Sequence, residues 1–136
     1  MLIVLAEDDD ALRETLAVAL RADGHRVVEA RDGQELIDRI EDVLRAPRRP
    51  PAVVVADVCM PGLSGLDVLC VLRCARCRLP TILTTGVADE ETRADALAIG
   101  ALGVLQKPFE LDALRALLTS AVGEEARPVT VPTARA

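Results

Sequence analysis

Four acids follow one another directly after a short apolar run: Leu2 to Ala6 leads straight into Glu7, Asp8, Asp9 and Asp10. Adjacent like charges repel, so such a cluster at the end of a buried segment calls for a compensating partner. A hard divalent cation is one. Mg²⁺ takes oxygen ligands, keeps several waters and binds through one or two carboxylates together with a substrate phosphate. Three more features fit that chemistry. Asp57 ends the run AVVVA, Thr84-Thr85 ends PTILTT, and Lys107 stands before Pro108. Of 16 basic residues Lys107 is the only lysine. A bias toward arginine accounts for that, and so does a site that needs a compact ammonium rather than a planar fork. Single residues have plainer readings: Asp9 or Asp10 caps a helix and favours its positive end, and Asp57 caps the Met-Pro-Gly turn. The joint placement carries the signal. No Gly-rich loop follows the first apolar run, so a phosphate here would come with its metal.

The elements that must position these residues alternate along the chain. Leu2 to Ala6, His25 to Ala30, Ala52 to Ala56, Pro80 to Thr85 and Leu102 to Gln106 read as short buried strands. Between them lie helical patterns. Leu12, Leu16 and Leu20 recur before Gly24, and Asp32-Gly33-Gln34-Glu35 reads as a capping box before the face Leu36, Ile37, Ile40, Val43 and Leu44. Further helices are predicted over 66–76, with Ser64 as cap, over 88–99, and around Leu111, Leu114, Leu117 and Leu118. Five strands alternating with five helices predict an α/β fold: a doubly wound five-stranded parallel sheet, order 2-1-3-4-5, flavodoxin-like, with helices on both faces. In that order the first and third strands are neighbours. Ligands bind outside the carboxyl ends of the strands, where Glu7, Asp8, Asp57, Thr85 and Lys107 all fall.

Bulk properties narrow the partners. The chain has 136 residues, 51% of them apolar, which suffices for one core. Net charge is −6 and Phe109 is the only aromatic, so no direct nucleic-acid contact and no anionic membrane partner are expected. No run is long enough to span a bilayer and no basic region precedes the first apolar stretch, so a cytoplasmic location is expected. Cys59, Cys70, Cys74 and Cys77 are then expected to be thiols.

The segments VLAEDDDALR, VVVADVCMPGLSGLDVL, PTILTTG and GALGVLQKPFEL, in this order and spacing, resemble the receiver domain of two-component response regulators. The resemblance covers roughly residues 1 to 122, leaving 123–136 as a disordered tail. It implies that Asp57 is the phosphoacceptor, taking a phosphoryl group from a sensor histidine kinase or histidine phosphotransfer protein. It implies that Glu7, Asp8, Asp57 and the backbone carbonyl of Cys59 hold Mg²⁺, with Asp8 and Asp57 as direct side-chain ligands. Thr85 would be the switch hydroxyl and Lys107 the partner of the phosphoryl group, with a cis bond to Pro108. The output would be a protein-binding surface for a downstream target, with a homodimer through helix 4–strand 5–helix 5 as an option. The chain would be a signalling switch that catalyses only its own phosphorylation and dephosphorylation. The side chains two beyond Asp57 and two beyond Thr85, Cys59 and Val87, orient water poorly, which implies slow self-dephosphorylation.

The chain also departs from the family pattern. Val104 replaces the aromatic usual three residues before the lysine, and the arm RAPRRPP is a few residues longer than usual. No second domain follows, so a free-standing receiver and a piece of a longer chain both remain open. Cys70, Cys74 and Cys77 are spaced as one helical stripe, read either as small apolar residues or as a redox, metal or contact patch, with His25 a weak fourth ligand. Two other functions compete: a pseudo-receiver that binds partners without phosphorylation, and a Mg²⁺-dependent aspartyl phosphatase using Asp8 and Asp10 as a DxD pair.

Overall fold

Five short strands carry β-branched and aliphatic side chains on both faces, so they can be buried only as the middle layer of a sandwich. The computed structural model describes residues 1–86 and 90–125. Its strands are β1 (Leu2–Ala6), β2 (Arg26–Ala30), β3 (Ala52–Asp57), β4 (Thr81–Thr85) and β5 (Gly103–Gln106). All pair in parallel in the order β2-β1-β3-β4-β5. The helices are α1 (Asp10–Ala22), α2 (Gly33–Arg45), α3 (Gly65–Cys74), α4 (Glu90–Ile99) and α5 (Leu111–Glu125).

Side chains alternate across the strands and divide the core in two. Ile3, Leu5, Val53, Val55 and Ile82 face α1 and α5, packing on Leu16, Leu20, Leu114 and Leu118. Val4, Val54, Leu83 and Val104 face the other way, packing on Leu36, Ile40, Val68, Leu69 and Ala96 from α2, α3 and α4. The sheet and its strand order agree with the order predicted from the alternation.

Local details differ from the sequence reading. Asp32 caps α2 through the Glu35 N–H at 2.8 Å. The Glu35 carboxylate, however, turns to the N–H and guanidinium of Arg31 instead of closing a capping box. The arginine offers a charge-assisted partner that the Asp32 amide does not. Helix α3 stops at Cys74, two residues before the predicted end, because Arg76 adopts φ 58° and turns the chain. Cys70 and Cys74 therefore share a helix, but Cys77 lies beyond it and packs partly against the core. Helix α5 continues to Glu125, past the expected boundary at 122; residues 126–136 of the expected tail lie outside the described residues, as do Val87, Ala88 and Asp89. The arm at 46–51 lies at the amino edge of the sheet, where the Leu2 N–H donates to the Pro51 carbonyl, so its extra length does not reach the carboxyl edge.

Two glycines set the loop after β3. A Cβ on Gly65 would lie 2.4 Å from the Asp57 carbonyl oxygen, and one on Gly33 would lie 2.3 Å from the Leu63 carbonyl oxygen. The start of α3 thus rests on the backbone of Asp57, and the start of α2 rests on the loop between them. Backbone cannot yield as a side-chain tip can, so Gly65→Ala is expected to lower stability by about 1–3 kcal/mol. Gly123→Ala, in α5 with open space at its Cβ, is expected to be neutral or stabilising by about 0.5 kcal/mol. Urea denaturation of the two variants checks the contrast.

Candidate functional site

The carboxyl edge of the sheet gathers the polar residues because each strand ends at the same level. Ala6 pairs with Ala56, so Glu7 and Asp57 leave neighbouring strands side by side. Asp57 pairs with Thr84, and Thr85 pairs with Gln106, which brings Lys107 to the next position. Backbone bonds extend the alignment past the strands: Glu7 N–H to Ala30 carbonyl, 3.1 Å, Val58 N–H to Thr84 carbonyl, 2.8 Å, and Lys107 N–H to Thr85 carbonyl, 2.7 Å. The Lys107–Pro108 bond is cis.

The side chains then converge. Lys107 Nζ donates to Asp57 Oδ2 at 2.9 Å and to Glu7 Oε1. Asp57 Oδ1 accepts the Cys59 N–H at 3.0 Å. Glu7 Oε2 accepts the Asp9 N–H at 3.2 Å. Glu7 and Asp57 are almost fully buried, at 2% and 4% exposure, while Asp8 beside them is exposed. Carboxylate oxygens of Glu7, Asp8 and Asp57 lie within 4.8 Å of one another, the one such group of potential metal ligands among the described residues. Thr85 is buried at the end of β4, next to this cluster in the sheet.

Charge explains the chemistry available. Burial pushes the Glu7 carboxyl up, and the neighbouring Asp57 adds to it. The hydrogen bonds from Lys107 and the Asp9 amide oppose the rise, and the result is a value of about 7 against the ordinary 4.5. Burial works against the Lys107 ammonium, but its hydrogen bonds to Asp57 and Glu7 outweigh that and raise it. One ammonium thus shares two buried carboxylates, while Asp8 opens the cluster toward solvent. Three carboxylates with room for water at the exposed side are the oxygen donor set of a hard divalent cation, and the residues fit that group. The side chains of Cys70, Cys74 and His25 take no part: Cys70 and Cys74 are exposed on α3, and His25 precedes β2 at the other sheet edge.

The acid run divides into three tasks. Glu7 and Asp8 join the cluster. Asp9 is the N-cap of α1, accepting the Leu12 N–H at 3.1 Å. Asp10 pairs with Arg13 at 2.8 Å and is not part of the group formed by Glu7, Asp8 and Asp57. Val104, at the position of the missing aromatic, is 5% exposed and packed in the core with Ala96 and Ala101. Its carbonyl accepts Arg93 Nη1 of α4 at 2.9 Å.

Three contributors were not read from the sequence. Gly33 and Gly65 shape the loop, and only the tertiary contact reveals them. Arg13 had a visible signal: Arg13, Leu16, Ala17 and Leu20 form the buried stripe of α1, so an arginine occupies a core position. A charged residue in such a place is almost always paired.

The family model for the response regulator receiver domain matches residues 3–119. The chain belongs to the response regulator receiver domain family. The transcriptional regulatory protein FixJ of Bradyrhizobium diazoefficiens is 33% identical over 120 residues, 88% of this chain and 56% of that protein. The response regulator MprA of Mycolicibacterium vanbaalenii is 40% identical over 114 residues, 84% of this chain and 47% of that protein. The chain thus spans about half the length of these two relatives. Full-length FixJ from B. japonicum superposes with a TM-score of 0.79 at 32% identity, covering 92% of this chain and 59% of that one. A receiver domain protein from Clostridium thermocellum, 24% identical, shares the fold with a TM-score of 0.82 over 91% of this chain and 95% of that one.

The raised carboxyl of Glu7 predicts a pH dependence for the metal-free protein. Between about pH 4.5 and 7 the folded state holds a proton that the unfolded state has lost. Stability therefore falls as pH rises through that window. Urea midpoints at pH 5 and pH 7.5 check this, and Glu7→Gln is expected to reduce the difference. A divalent cation at pH 7.5 is expected to restore the lost stability, because it binds the folded state only.

Proposed function

We propose that this receiver is a phosphoacceptor switch in which Asp57 takes a phosphoryl group from the phosphohistidine of a sensor histidine kinase or histidine phosphotransfer protein. The observation that carries the reading is the convergence of Asp57, Glu7, Asp8 and Lys107 at one sheet edge, with Lys107 bridging the two buried carboxylates. Asp57 is the carboxylate nucleophile: its oxygen forms the bond to phosphorus as the P–N bond to the donor imidazole breaks. Glu7, Asp8, Asp57 and the backbone carbonyl of Cys59, whose N–H is tied to Asp57, would hold Mg²⁺. When bound there, the ion would supply positive charge to the phosphoryl oxygens. Lys107 supplies the second positive charge and holds Asp57 in place. Thr85 donates its hydroxyl to the new phosphoryl group, and the added charge shifts a pre-existing equilibrium between two surface states.

The readout in this chain cannot use an aromatic rotamer at Val104, a short buried side chain. The Arg93 bond to the Val104 carbonyl ties α4 to β5 and offers another route to the face formed by α4, β5 and α5. That face is the proposed contact for a downstream protein target, or for a second copy. Nucleic acid and membrane are not partners of the described residues in this reading, in keeping with the net charge of −6, and the location is cytoplasmic. None of the described helices is long and apolar enough to cross a membrane.

Acetyl phosphate with Mg²⁺ is expected to add one phosphoryl group, seen by intact mass, and Asp57→Ala is expected to abolish it. Without Mg²⁺, or in Lys107→Ala, the adduct is expected to fall at least tenfold. No adduct from a small donor or a histidine phosphotransfer domain, with Mg²⁺ still bound, would turn the reading into that of a pseudo-receiver. Self-dephosphorylation is expected to take minutes or longer; decay within seconds at neutral pH would contradict the roles given to Cys59 and Val87.

A further inference from the structure

Arg13 is buried to 7% exposure at the first position of the apolar stripe of α1. Its guanidinium makes three directed contacts. Nη1 donates to the Glu7 carbonyl at 2.8 Å, Nη2 pairs with Asp10 Oδ1 at 2.8 Å, and Nε donates to Glu29 Oε1 at 3.2 Å. Glu29 is held from its other oxygen by Arg21 Nη2 at 3.3 Å, which also donates to the Val27 carbonyl at 2.9 Å. The fork therefore joins β2, the first turn of α1 and the peptide unit that links Glu7 to Asp8.

That peptide unit matters because of what leaves it. The Glu7 carbonyl and the Asp8 N–H lie in one rigid plane. Among the described residues Asp8 makes no hydrogen bond or ion pair, so nothing but backbone aims its carboxylate at Glu7 and Asp57. Glu7 has other restraints, from the Ala30 carbonyl, the Asp9 N–H and Lys107. A neutral stripe residue such as leucine would complete the packing of α1 but leave the Glu7 carbonyl without its buried donor.

We propose that Arg13 is a positioning residue that sets the cation affinity of the Glu7, Asp8 and Asp57 cluster by clamping the Glu7–Asp8 peptide plane. The inference rests on the reading that this cluster holds Mg²⁺. Partners one step removed from a metal commonly change its affinity about tenfold or more when lost. A lysine presents one ammonium in place of the planar fork and cannot span all three acceptors in the same geometry.

The test is Mg²⁺ titration of the full chain by calorimetry, beside urea denaturation and amide hydrogen exchange in metal-free buffer. Arg13→Met is expected to weaken Mg²⁺ binding about tenfold, with Arg13→Lys between it and the parent. Glu29→Gln, which loosens the fork without touching Glu7, is expected to weaken binding a few-fold and keeps the test open if Arg13→Met does not fold. In the metal-free protein the amides of Asp8 and Asp9 are expected to exchange faster in these variants while those of β3 are unchanged. Arg115→Met, which breaks a surface pair with Asp23, serves as the comparison and is expected to leave Mg²⁺ binding as it is. Folded Arg13 and Glu29 variants that bind Mg²⁺ like the parent would overturn the positioning role alone. A parent chain that binds no Mg²⁺ would overturn the reading of the cluster, and this inference with it.

Discussion

The ammonium of Lys107 stands between Glu7 and Asp57, two carboxylates buried at the ends of adjacent strands. Without a cation between them, two such charges about 5 Å apart at an effective dielectric of about 20 repel by roughly 3 kcal/mol. Burial adds to that cost, and the high Glu7 carboxyl records it. The sheet order is what makes the arrangement possible: β1 and β3 are neighbours, so the acids meet, and β5 lies two strands from β3, within reach of a lysine side chain. A point charge on a flexible stem suits that distance and that pocket better than a guanidinium.

The surrounding loops hold the cluster in a poised, partly compensated state. Gly65 lets α3 rest on the Asp57 backbone, Cys59 ties down one Asp57 oxygen, and Asp9 caps α1 while donating its amide to Glu7. Most of these contacts fix Glu7 and Asp57 and leave Asp8 exposed. A site built this way keeps Asp8 open to solvent and confines Glu7 and Asp57 to the buried side. In the proposed switch, output works differently from a receiver with an aromatic at position 104, because Val104 has neither the length nor the polar tip to move between buried and exposed positions.

Much of this was legible in the residues. The apolar strand runs, the helix stops at Gly24 and Gly100, and the acids and lysine at strand ends follow from local patterns that depend on a few neighbouring residues. The early stop of α3 was not legible, because Arg76 adopts a left-handed conformation that its residue type does not announce. Nor was the open capping box of α2, where Arg31 competes for Glu35. Both are contests between local options of similar energy, settled by the neighbours the folded chain supplies.

The sequence by itself determined which residues could do chemistry and that alternating elements would carry them to one edge of a parallel sheet. Periodicity and composition are local quantities, and they survive without knowledge of the fold. Only the tertiary structure decided the division of labour within the acid run: Glu7 toward Lys107, Asp8 left open, Asp9 on the helix end, Asp10 on Arg13. Four adjacent acids are alike in sequence. They become different when the chain leaves β1 and turns into α1, because each then faces a different partner, from as far away in the chain as Lys107.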